Sequence, residues 1–401
     1  MPDRSFAIIG AGIIGVAVAR EIIRRYPSSQ VTIFEKEGDV AAHQTGHNSG
    51  VVHAGLYYEP GGLKATLCRR GVDLLKGFAL EHGVPFDECG KIVVALQEDE
   101  EPRLHAIFER AKANGVPDVE LIGPQGIRDI EPNAVGRLAL HSPHTAIVDY
   151  PELTRALAES FTDAGGKIRF GTEVKHIESS ADGARLATNH GTYEASFVVA
   201  CAGLQSDRIA ARAGGRKTPA IIPFFGQYSI VEPDYRDVVR GLVYPVPDPK
   251  YPFLGVHVTK RVDGELLIGP NAFLSFGREN YSGMALGVRD SLAVAANTGF
   301  WRFAGKNASA AVREIESVVS RKRFLQGAAD YVPRLADVKS KPITRGIRAQ
   351  AMDSRGELVD DFAIENVGPT TLIRNAPSPG ATSSMAIAEY IVDGLTQRHG
   401  L

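Results

Sequence analysis

The stretch "SFAIIGAGIIGVAVAREIIRRYPSSQVTIFEKE", residues 5–37, decides the fold of this chain. Its apolar runs, separated by glycines, predict three consecutive elements: a strand over residues 5–9, a helix over about 12–26 and a second strand over 31–35. Pro27 ends the helix, because its ring and missing amide hydrogen do not allow the helix to continue. The order strand, glycine turn, helix and strand is typical of the first unit of a dinucleotide-binding fold.

The turn before the helix contains Gly10, Gly12 and Gly15 in the pattern GxGxxG. The first glycine permits a tight turn, the second lets backbone approach a pyrophosphate, and the third allows close packing of helix and strand. Free N–H groups at the helix start would hold the diphosphate. Glu35, 20 residues after Gly15, suits ribose hydroxyls and would repel a 2′-phosphate. These features predict an adenine dinucleotide, NAD or FAD; the alternative is that the glycines serve only close packing.

Composition favours a small-molecule ligand. The chain has 401 residues, 23% charged side chains and a net charge of -2, without a cluster of Lys and Arg, so it lacks the electrostatic footprint of a nucleic-acid-binding protein. Its three cysteines form no CxxC motif, and their odd number fits a reducing cytosol better than a disulfide framework. The apolar run 6–19 is short and interrupted by glycines, so we predict neither a membrane span nor a targeting segment.

Five further motifs point to one family. In chain order they are "HNSGVVHAGLYY" (47–58), "GLKATLC" (62–68), "LIGPNAFLSFGRENY" (267–281), "GIRAQ" (346–350) and "RNAPSPGATSSMAIAEYI" (374–391). With them the chain, from about Phe6 to Leu395, resembles the L-2-hydroxyglutarate dehydrogenase/oxidase family of the glycine/D-amino-acid oxidase group. The resemblance implies an α/β fold: an FAD/NAD(P)-binding Rossmann-like domain and a second, α+β substrate domain built on an antiparallel sheet.

The first of these motifs is a candidate cofactor-binding segment. It is too polar for a core strand and too apolar for a solvated loop, and a segment placed after the second strand can run alongside an extended cofactor. Glycines would bring its backbone close, and polar side chains would donate hydrogen bonds. His53 and Tyr57 would then lie near the isoalloxazine. A polar surface loop with incidental histidines is the alternative.

The resemblance, together with the glycine turn, implies non-covalent FAD, since neither flavin-lining motif contains a cysteine. Val174 would contact adenine through its backbone, the strand before Gly203 would approach the diphosphate, and the helix that starts near 382–384 would favour negative charge at the flavin N1–C2 edge. The predicted cofactor-binding residues are Gly10, Gly12, Ile13, Ile14, Gly15, Glu35, Lys36, Thr45, Gly46, Asn48, Ser49, Gly50, Val174, Ala202, Gly203, Pro379, Gly380, Ala381 and Thr382.

Flavin oxidation of a 2-hydroxy acid requires a base for the hydroxyl proton and cations for the carboxylates. His53 and His257 are the candidate bases, with His53 favoured, and Arg348 is the candidate fork for the carboxylate beside the reacting carbon. Structural roles for these three side chains are the alternatives. Further predicted substrate contacts are Tyr57, Lys64, Gln350 and Asn375, and a contact from Lys341 is left open.

The pattern of elements divides the chain into two interleaved domains. We predict an FAD-binding domain from residues 1–85, 149–215 and 341–401, and a substrate-binding domain from residues 86–148 and 216–340. In the second domain, Asp263-Gly264 is a strong signal for a β-hairpin, and His257 lies on the polar side of its first strand.

The function that follows is FAD-dependent oxidation of L-2-hydroxyglutarate to 2-oxoglutarate by hydride transfer from C2 to flavin N5. The electrons would pass to a quinone or to oxygen. The alternatives are an amine or amino-acid oxidase of the same group, an NAD-dependent dehydrogenase, and a non-catalytic nucleotide-binding protein. We expect a cytoplasmic protein and leave open both its oligomeric state and peripheral contact with the inner face of the cell membrane.

Overall fold

The fold comes from a computed structural model, which describes residues 4–248, 255–270, 273–281, 287–306, 321–343 and 345–401. The strands of these residues are, in chain order, β1 (Ser5–Ile9), β2 (Gln30–Phe34), β3 (Val51–Val52), β4 (Phe86–Asp87), β5 (Lys91–Ala95), β6 (Glu120–Ile122), β7 (Leu138–Ser142), β8 (Ala146–Val148), β9 (Lys167–Arg169), β10 (Val174–Ser179), β11 (Ala184–Thr188), β12 (Gly191–Ala195), β13 (Phe197–Ala200), β14 (Ala220–Gly226), β15 (Ser229–Val231), β16 (Leu242–Pro245), β17 (His257–Lys260), β18 (Leu266–Gly269), β19 (Phe273–Leu274), β20 (Ser340–Pro342), β21 (Gly346–Met352), β22 (Ala363–Val367) and β23 (Thr370–Asn375).

The α-helices of the same residues are α1 (Ile13–Arg25), α2 (Leu63–Glu81), α3 (Glu101–Ala113), α4 (Pro124–Ile130), α5 (Tyr150–Asp163), α6 (Ser206–Arg212), α7 (Val288–Ala295), α8 (Thr298–Lys306), α9 (Arg321–Ala329) and α10 (Ser384–His399). The predicted first unit is confirmed, because β1, α1 and β2 begin and end within one residue of the predicted bounds. Within the described ranges, no helix combines the length and hydropathy that a segment crossing a bilayer needs.

A six-stranded sheet in the order β22-β23-β13-β1-β2-β9 forms the first layer of the fold. Its strands are parallel except β22, which pairs antiparallel with β23. Because side chains alternate along a strand, Ile8 packs with α1, α5 and α10 on one face, whereas Ala7 and Ile9 pack against the small sheet β10-β11-β12 on the other. Helices and a second sheet therefore cover both faces, as a parallel sheet requires.

An eight-stranded sheet in the order β20-β15-β18-β17-β16-β5-β7-β6 forms the second large layer. The predicted hairpin joins β17 to β18, and Gly264 in its turn has a φ of +81°. One face is apolar and packs α4 and α9 around Val258 and Ile268. The neighbouring residue His257 projects to the opposite face, as the alternation in the sequence predicts. Smaller sheets, β19-β14-β21 and β3-β8-β4, connect the two layers.

The strand pairing bears on the division into domains. Strands from residues 1–85, 149–215 and 363–375 build the six-stranded sheet, and strands from 86–148 and 216–342 build the eight-stranded sheet. The predicted boundary at 341 falls inside β20, and β21 pairs with β14 along its whole length. We propose two domains with this boundary after Met352, since β20 and β21 both pair with strands of the second domain.

Candidate active site

A cavity of about 730 Å³ lies where the carboxyl ends of β1, β2 and β13 face the polar side of the eight-stranded sheet. In open α/β sheets this edge is where ligands bind. Its volume is within the usual range for a small-molecule site. The two layers therefore enclose the cavity between the glycine turn on one side and β16 and β17 on the other.

The three positions of the turn are glycine for different structural reasons. Gly10 has a φ of +100°, and a Cβ on it would lie 2.6 Å from the carbonyl oxygen of Cys201. A Cβ on Gly15 would lie 2.0 Å from the carbonyl oxygen of Gly10. A Cβ on Gly12, in contrast, would meet only Thr45 Oγ1, at 3.4 Å. Packing within the chain thus requires Gly10 and Gly15, whereas at Gly12 the missing side chain leaves the start of α1 open to a ligand.

Glu35 follows β2 directly and is 7% exposed. Its Oε2 accepts the backbone N–H of Ala11 at 2.6 Å, and its Oε1 accepts that of Glu37 at 2.9 Å. Each carboxylate oxygen can accept a second hydrogen bond. The side chain is therefore held at the cavity wall with acceptor capacity left for hydroxyl groups.

The segment after β2 is shaped by its own polar side chains. Asn48 Nδ2 donates to the carbonyl oxygen of Thr45 at 2.8 Å, and Asn48 Oδ1 accepts the N–H of Gly50 at 2.8 Å. Thr45 Oγ1 accepts the N–H of Ile13, the first residue of α1, at 3.1 Å. These bonds attach the segment to the helix start and form one wall of the cavity.

Gly46 and Gly50 are not part of the cavity wall. A Cβ on Gly46 would lie 2.5 Å from the carbonyl oxygen of Ala41, and one on Gly50 would lie 3.0 Å from that of Val148. Their missing side chains therefore make room for the chain's own backbone, whereas the sequence suggested that they make room for a cofactor.

The backbone of His53 is fixed on both sides. Its N–H donates to Thr382 Oγ1 at 3.1 Å, and Cys68 Sγ donates to its carbonyl oxygen at 3.1 Å. The Tyr150 hydroxyl lies 3.0 Å from Thr382 Oγ1 and donates to the carbonyl oxygen of Val51 at 3.1 Å. The residue is thereby held by the motif that starts α10, although 329 positions separate the two in sequence.

His257 and Arg348 complete a cluster of nitrogen-bearing side chains around the cavity. The imidazole of His257 stacks on the ring of Tyr244, with 3.7 Å between centroids and 7° between planes. Arg348 lies on β21, opposite Phe224 of β14, and its side chain is accessible at the cavity. Two imidazoles and a guanidinium from β17, β21 and the segment after β3 thus converge.

Both imidazoles are neutral at pH 7. Burial, reinforced by the positive charges of Lys91 and Arg348, lowers the pKa of His53 to about 3. Burial and the same two charges also lower the pKa of His257 well below its ordinary value. A neutral imidazole has a free nitrogen lone pair, so either residue can accept a proton.

Lys91 is a candidate that the sequence did not identify. It opens β5, is 2% exposed, and burial lowers its pKa to about 7. Its Nζ lies 3.9 Å from the ring centroid of Tyr244 and 5.5 Å from that of Tyr57. In sequence it is only the first residue of the apolar run "KIVVALQ", and a charged residue opening a buried strand is a weak signal.

Most predicted site residues line the cavity. Those that do are Gly10, Gly12, Ile13, Ile14, Gly15, Glu35, Lys36, Thr45, Asn48, Ser49, His53, Lys64, Val174, Ala202, Gly203, His257, Arg348, Gln350, Asn375, Pro379, Gly380, Ala381 and Thr382. Tyr57, like Gly46 and Gly50, lies outside the wall, and its hydroxyl is buried without a hydrogen-bond partner among the described residues. Lys341 is an exposed residue of β20.

Three predicted substrate contacts already have partners within the chain. Lys64 Nζ lies 2.9 Å from the Asp360 carboxylate. Gln350 Nε2 donates to the carbonyl oxygen of Val359 at 3.5 Å, and Asn375 Nδ2 donates to the same oxygen at 2.8 Å and to that of Asp361 at 2.9 Å. These side chains therefore hold the segment 359–361 beside the cavity.

A sequence model of the FAD-dependent oxidoreductase family matches residues 5–394. The chain belongs to this family. The prediction of FAD, made from the glycine turn and the five motifs, is confirmed, and the alternative of an NAD-dependent dehydrogenase is wrong. The enzyme is an FAD-dependent oxidoreductase of mixed α/β fold, so the alternative of a non-catalytic nucleotide-binding protein is also wrong.

The family relatives include near full-length matches. The chain is 41% identical over 413 residues to "L-2-hydroxyglutarate dehydrogenase, mitochondrial" of Caenorhabditis elegans, covering 100% of this chain and 95% of the relative. It is 41% identical over 413 residues to the human protein of the same name, at 98% and 89% coverage. It is 39% identical over 388 residues to L-2-hydroxyglutarate dehydrogenase of Escherichia coli K12, at 96% and 92% coverage. The resemblance inferred from the motifs is confirmed.

Solved structures of FAD enzymes share the fold. The FAD-bound L-α-glycerophosphate oxidase of Mycoplasma pneumoniae superposes with a TM-score of 0.77 at 22% identity, covering 99% of this chain and 95% of that one. The glycine oxidase of Geobacillus kaustophilus superposes with a TM-score of 0.74 at 21% identity, with 98% and 95% coverage. At these identities the comparison supports the fold alone.

Proposed function

We propose that the enzyme oxidises L-2-hydroxyglutarate to 2-oxoglutarate in the cavity between the two sheets. The names of relatives that are about 40% identical over nearly the whole chain support this substrate. The observation that carries the proposal is the convergence of His53, His257 and Arg348 on the cavity that also contains the dinucleotide-binding turn. A proton acceptor and a carboxylate fork are the groups that oxidation of a 2-hydroxy acid needs.

The cavity residues fit an extended dinucleotide. Gly12 leaves the start of α1 open for the diphosphate, Glu35 offers acceptors to ribose, and Val174 offers backbone to adenine. We propose that the cofactor is held without a covalent bond, because burial raises the pKa of Cys201, the cysteine in the described cavity wall, to about 12 and so disfavours its thiolate. When bound, FAD supplies N5 as acceptor for the hydride from C2.

His53 is the proposed general base. It takes the proton of the C2 hydroxyl, and loss of this proton and the C2 hydride leaves the C2=O double bond of the product. Its backbone is fixed by Thr382 and Cys68, so its imidazole has a defined position. His257 is the second candidate, and its stacking on Tyr244 suits an orienting role.

Arg348 is the proposed ligand of the carboxylate next to C2. A guanidinium can bind a carboxylate with two parallel hydrogen bonds, which fixes the orientation of the reacting carbon. The same charge lowers the pKa of His53. A bound carboxylate would offset that charge and raise the pKa of the histidine, which strengthens the base once substrate is present.

The electrons of the reduced cofactor would pass to a quinone or to oxygen. Both acceptors are compatible with the proposed oxidation, because neither changes the groups that bind the substrate. The two acceptors can be distinguished by comparing the steady-state turnover rate with dissolved oxygen and the rate with a soluble quinone. A protein reoxidised rapidly by oxygen is an oxidase, and one that needs the quinone is a dehydrogenase.

Anaerobic mixing of the purified enzyme with L-2-hydroxyglutarate tests the reaction. We expect the flavin absorbance to bleach with this substrate but not with its D enantiomer, sarcosine, glycine or D-alanine. His53→Ala should retain FAD and slow the bleaching by about 10²–10⁴-fold, whereas His176→Ala, which changes an exposed residue of β10, should match the wild type. Bleaching by the amines alone would identify an amine oxidase, and an unchanged rate in His53→Ala would assign the base to another group.

A further inference from the structure

The Lys91 ammonium is buried and has no counter-ion among the residues that the structure describes. No carboxylate of the described residues pairs with its Nζ, and the side chain is 2% exposed. Its Nζ lies over the faces of two tyrosine rings, those of Tyr244 and Tyr57. Such rings attract a cation, but they do not replace the interaction with an anion that a desolvated ammonium otherwise requires.

Lys91 is close to the residues proposed to hold the substrate. It lies on β5, Tyr244 lies on the neighbouring strand β16, and His257 lies on β17 beyond it. The Tyr244 ring stacks on His257 and also receives the Lys91 ammonium at 3.9 Å. Tyr244 and His257 line the cavity, so the ammonium lies directly behind this part of the wall.

The hydroxyl of Tyr57 is a second unsatisfied group in this region. It is buried and has no hydrogen-bond partner among the described residues, and its ring lies 5.5 Å from Lys91 Nζ. A hydroxyl donor and an ammonium near each other are complementary to a carboxylate. Lys64 and Lys36 line the cavity, but Lys64 pairs with Asp360, and Lys36 pairs with Glu37 and Glu279, so both are less suited to this role.

We propose that the buried ammonium of Lys91 is the counter-charge that selects a second carboxylate on the substrate, so that the enzyme prefers dicarboxylic over monocarboxylic 2-hydroxy acids. The inference rests on the proposed function and adds the specificity determinant. Arg348 binds the carboxylate beside C2, and the charge of Lys91 offsets the distal carboxylate at the opposite end of the substrate. The depressed pKa of Lys91 agrees with an ammonium that awaits an anion.

The test compares two substrates of equal chain length, L-2-hydroxyglutarate and L-2-hydroxypentanoate, which carries a methyl group in place of the distal carboxylate. Lys91→Met should lower the ratio of kcat/KM for the dicarboxylate to kcat/KM for the monocarboxylate by at least about 30-fold. The ratio is the readout because the charge of Lys91 also lowers the pKa of His53, an effect that both substrates share. Lys91→Arg should retain most of the preference. The matched control is Lys260→Met, on β17 of the same sheet. Lys260 pairs with Asp87, so its replacement should leave both substrates unaffected.

Equal losses on both substrates, or a retained preference in Lys91→Met, would overturn the inference. A loss of preference in Lys64→Met but not in Lys91→Met would do the same. Binding of glutarate and of pentanoate, measured through the flavin spectrum, keeps the test independent of turnover. One outcome separates the two proposals. If none of the hydroxy acids reduces the flavin of the wild type, but Lys91→Met selectively loses glutarate binding, the proposed function fails and the anion site stands.

Discussion

Replacing Lys91 by methionine should stabilise the substrate-free enzyme, and the gain should shrink as the pH rises. Methionine has a similar length but no charge, so the substitution removes the burial penalty of an ammonium while keeping most of the packing. This predicted stabilisation is opposite in sign to the effect of most single substitutions, which destabilise a protein.

The magnitude follows from the pKa of Lys91, which burial lowers from 10.5 to about 7. At about 1.4 kcal/mol per pKa unit, this shift corresponds to a penalty of about 5 kcal/mol when the lysine is fully protonated in both states. Between about pH 7 and 10.5 the unfolded chain binds a proton that the folded protein lacks, so the free energy of unfolding rises with pH. From pH 6 to pH 9 the wild type should gain about 2–3 kcal/mol that Lys91→Met does not.

Urea unfolding of both proteins at pH 6 and pH 9, with FAD bound and no substrate, measures this difference. The transitions are followed by far-UV circular dichroism and by fluorescence of released flavin, and a free energy is derived where the two coincide. The other titrating groups around Lys91 are common to both proteins: His53, Tyr57, Cys68, Cys89, Tyr244, His257 and Arg348. Parallel pH dependences in the two proteins would refute a buried, largely desolvated ammonium.

Three further predictions concern the cofactor turn, the His53 backbone and pH. Gly12→Ala should leave the unfolding midpoint of the apoprotein unchanged and weaken FAD binding by at least about tenfold, or 1.4 kcal/mol. Gly15→Ala should lose the fold, because its Cβ would lie 2.0 Å from a carbonyl oxygen. Equal effects of the two substitutions in titrations with FAD would contradict this assignment of the two glycines. Thr382→Val should destabilise the protein by about 1–3 kcal/mol and slow flavin reduction, since the N–H of His53 loses its acceptor; unfolding and stopped-flow rates check this. Glutarate binding should weaken above about pH 7 as Lys91 loses its proton, and Lys91→Met should abolish this pH dependence of binding. If the variant keeps the pH dependence, another titrating group causes it.

Sequence reasoning predicted the elements whose causes are local. Glycines, Pro27 and the apolar period placed β1, α1 and β2 within a residue of their observed bounds. Asp149 is a similar local case, because it precedes α5 and its Oδ1 accepts the N–H of Glu152 at 2.8 Å at the start of that helix. Local signals suffice at such positions, because the physical reason lies within a few residues of the feature.

Features that depend on strand order could not be predicted in this way. Lys91 comes beside Tyr244 and His257 only because β5, β16 and β17 are neighbours in the eight-stranded sheet. The sequence favours Gly46 and Gly50 as cofactor contacts, because it does not show that the backbones of Ala41 and Val148 pass close to them. Long-range pairing decides these placements.

The order of strands in the six-stranded sheet has a consequence for synthesis of the protein. β1 and β13 lie in the middle of that sheet, but β23, which covers the outer side of β13, is made only when residues 370–375 leave the ribosome. Until then a nascent chain exposes the backbone of β13 as an open edge, which is a template for aggregation. Chaperone demand during translation should therefore last until residues 370–375 have emerged and paired with β13.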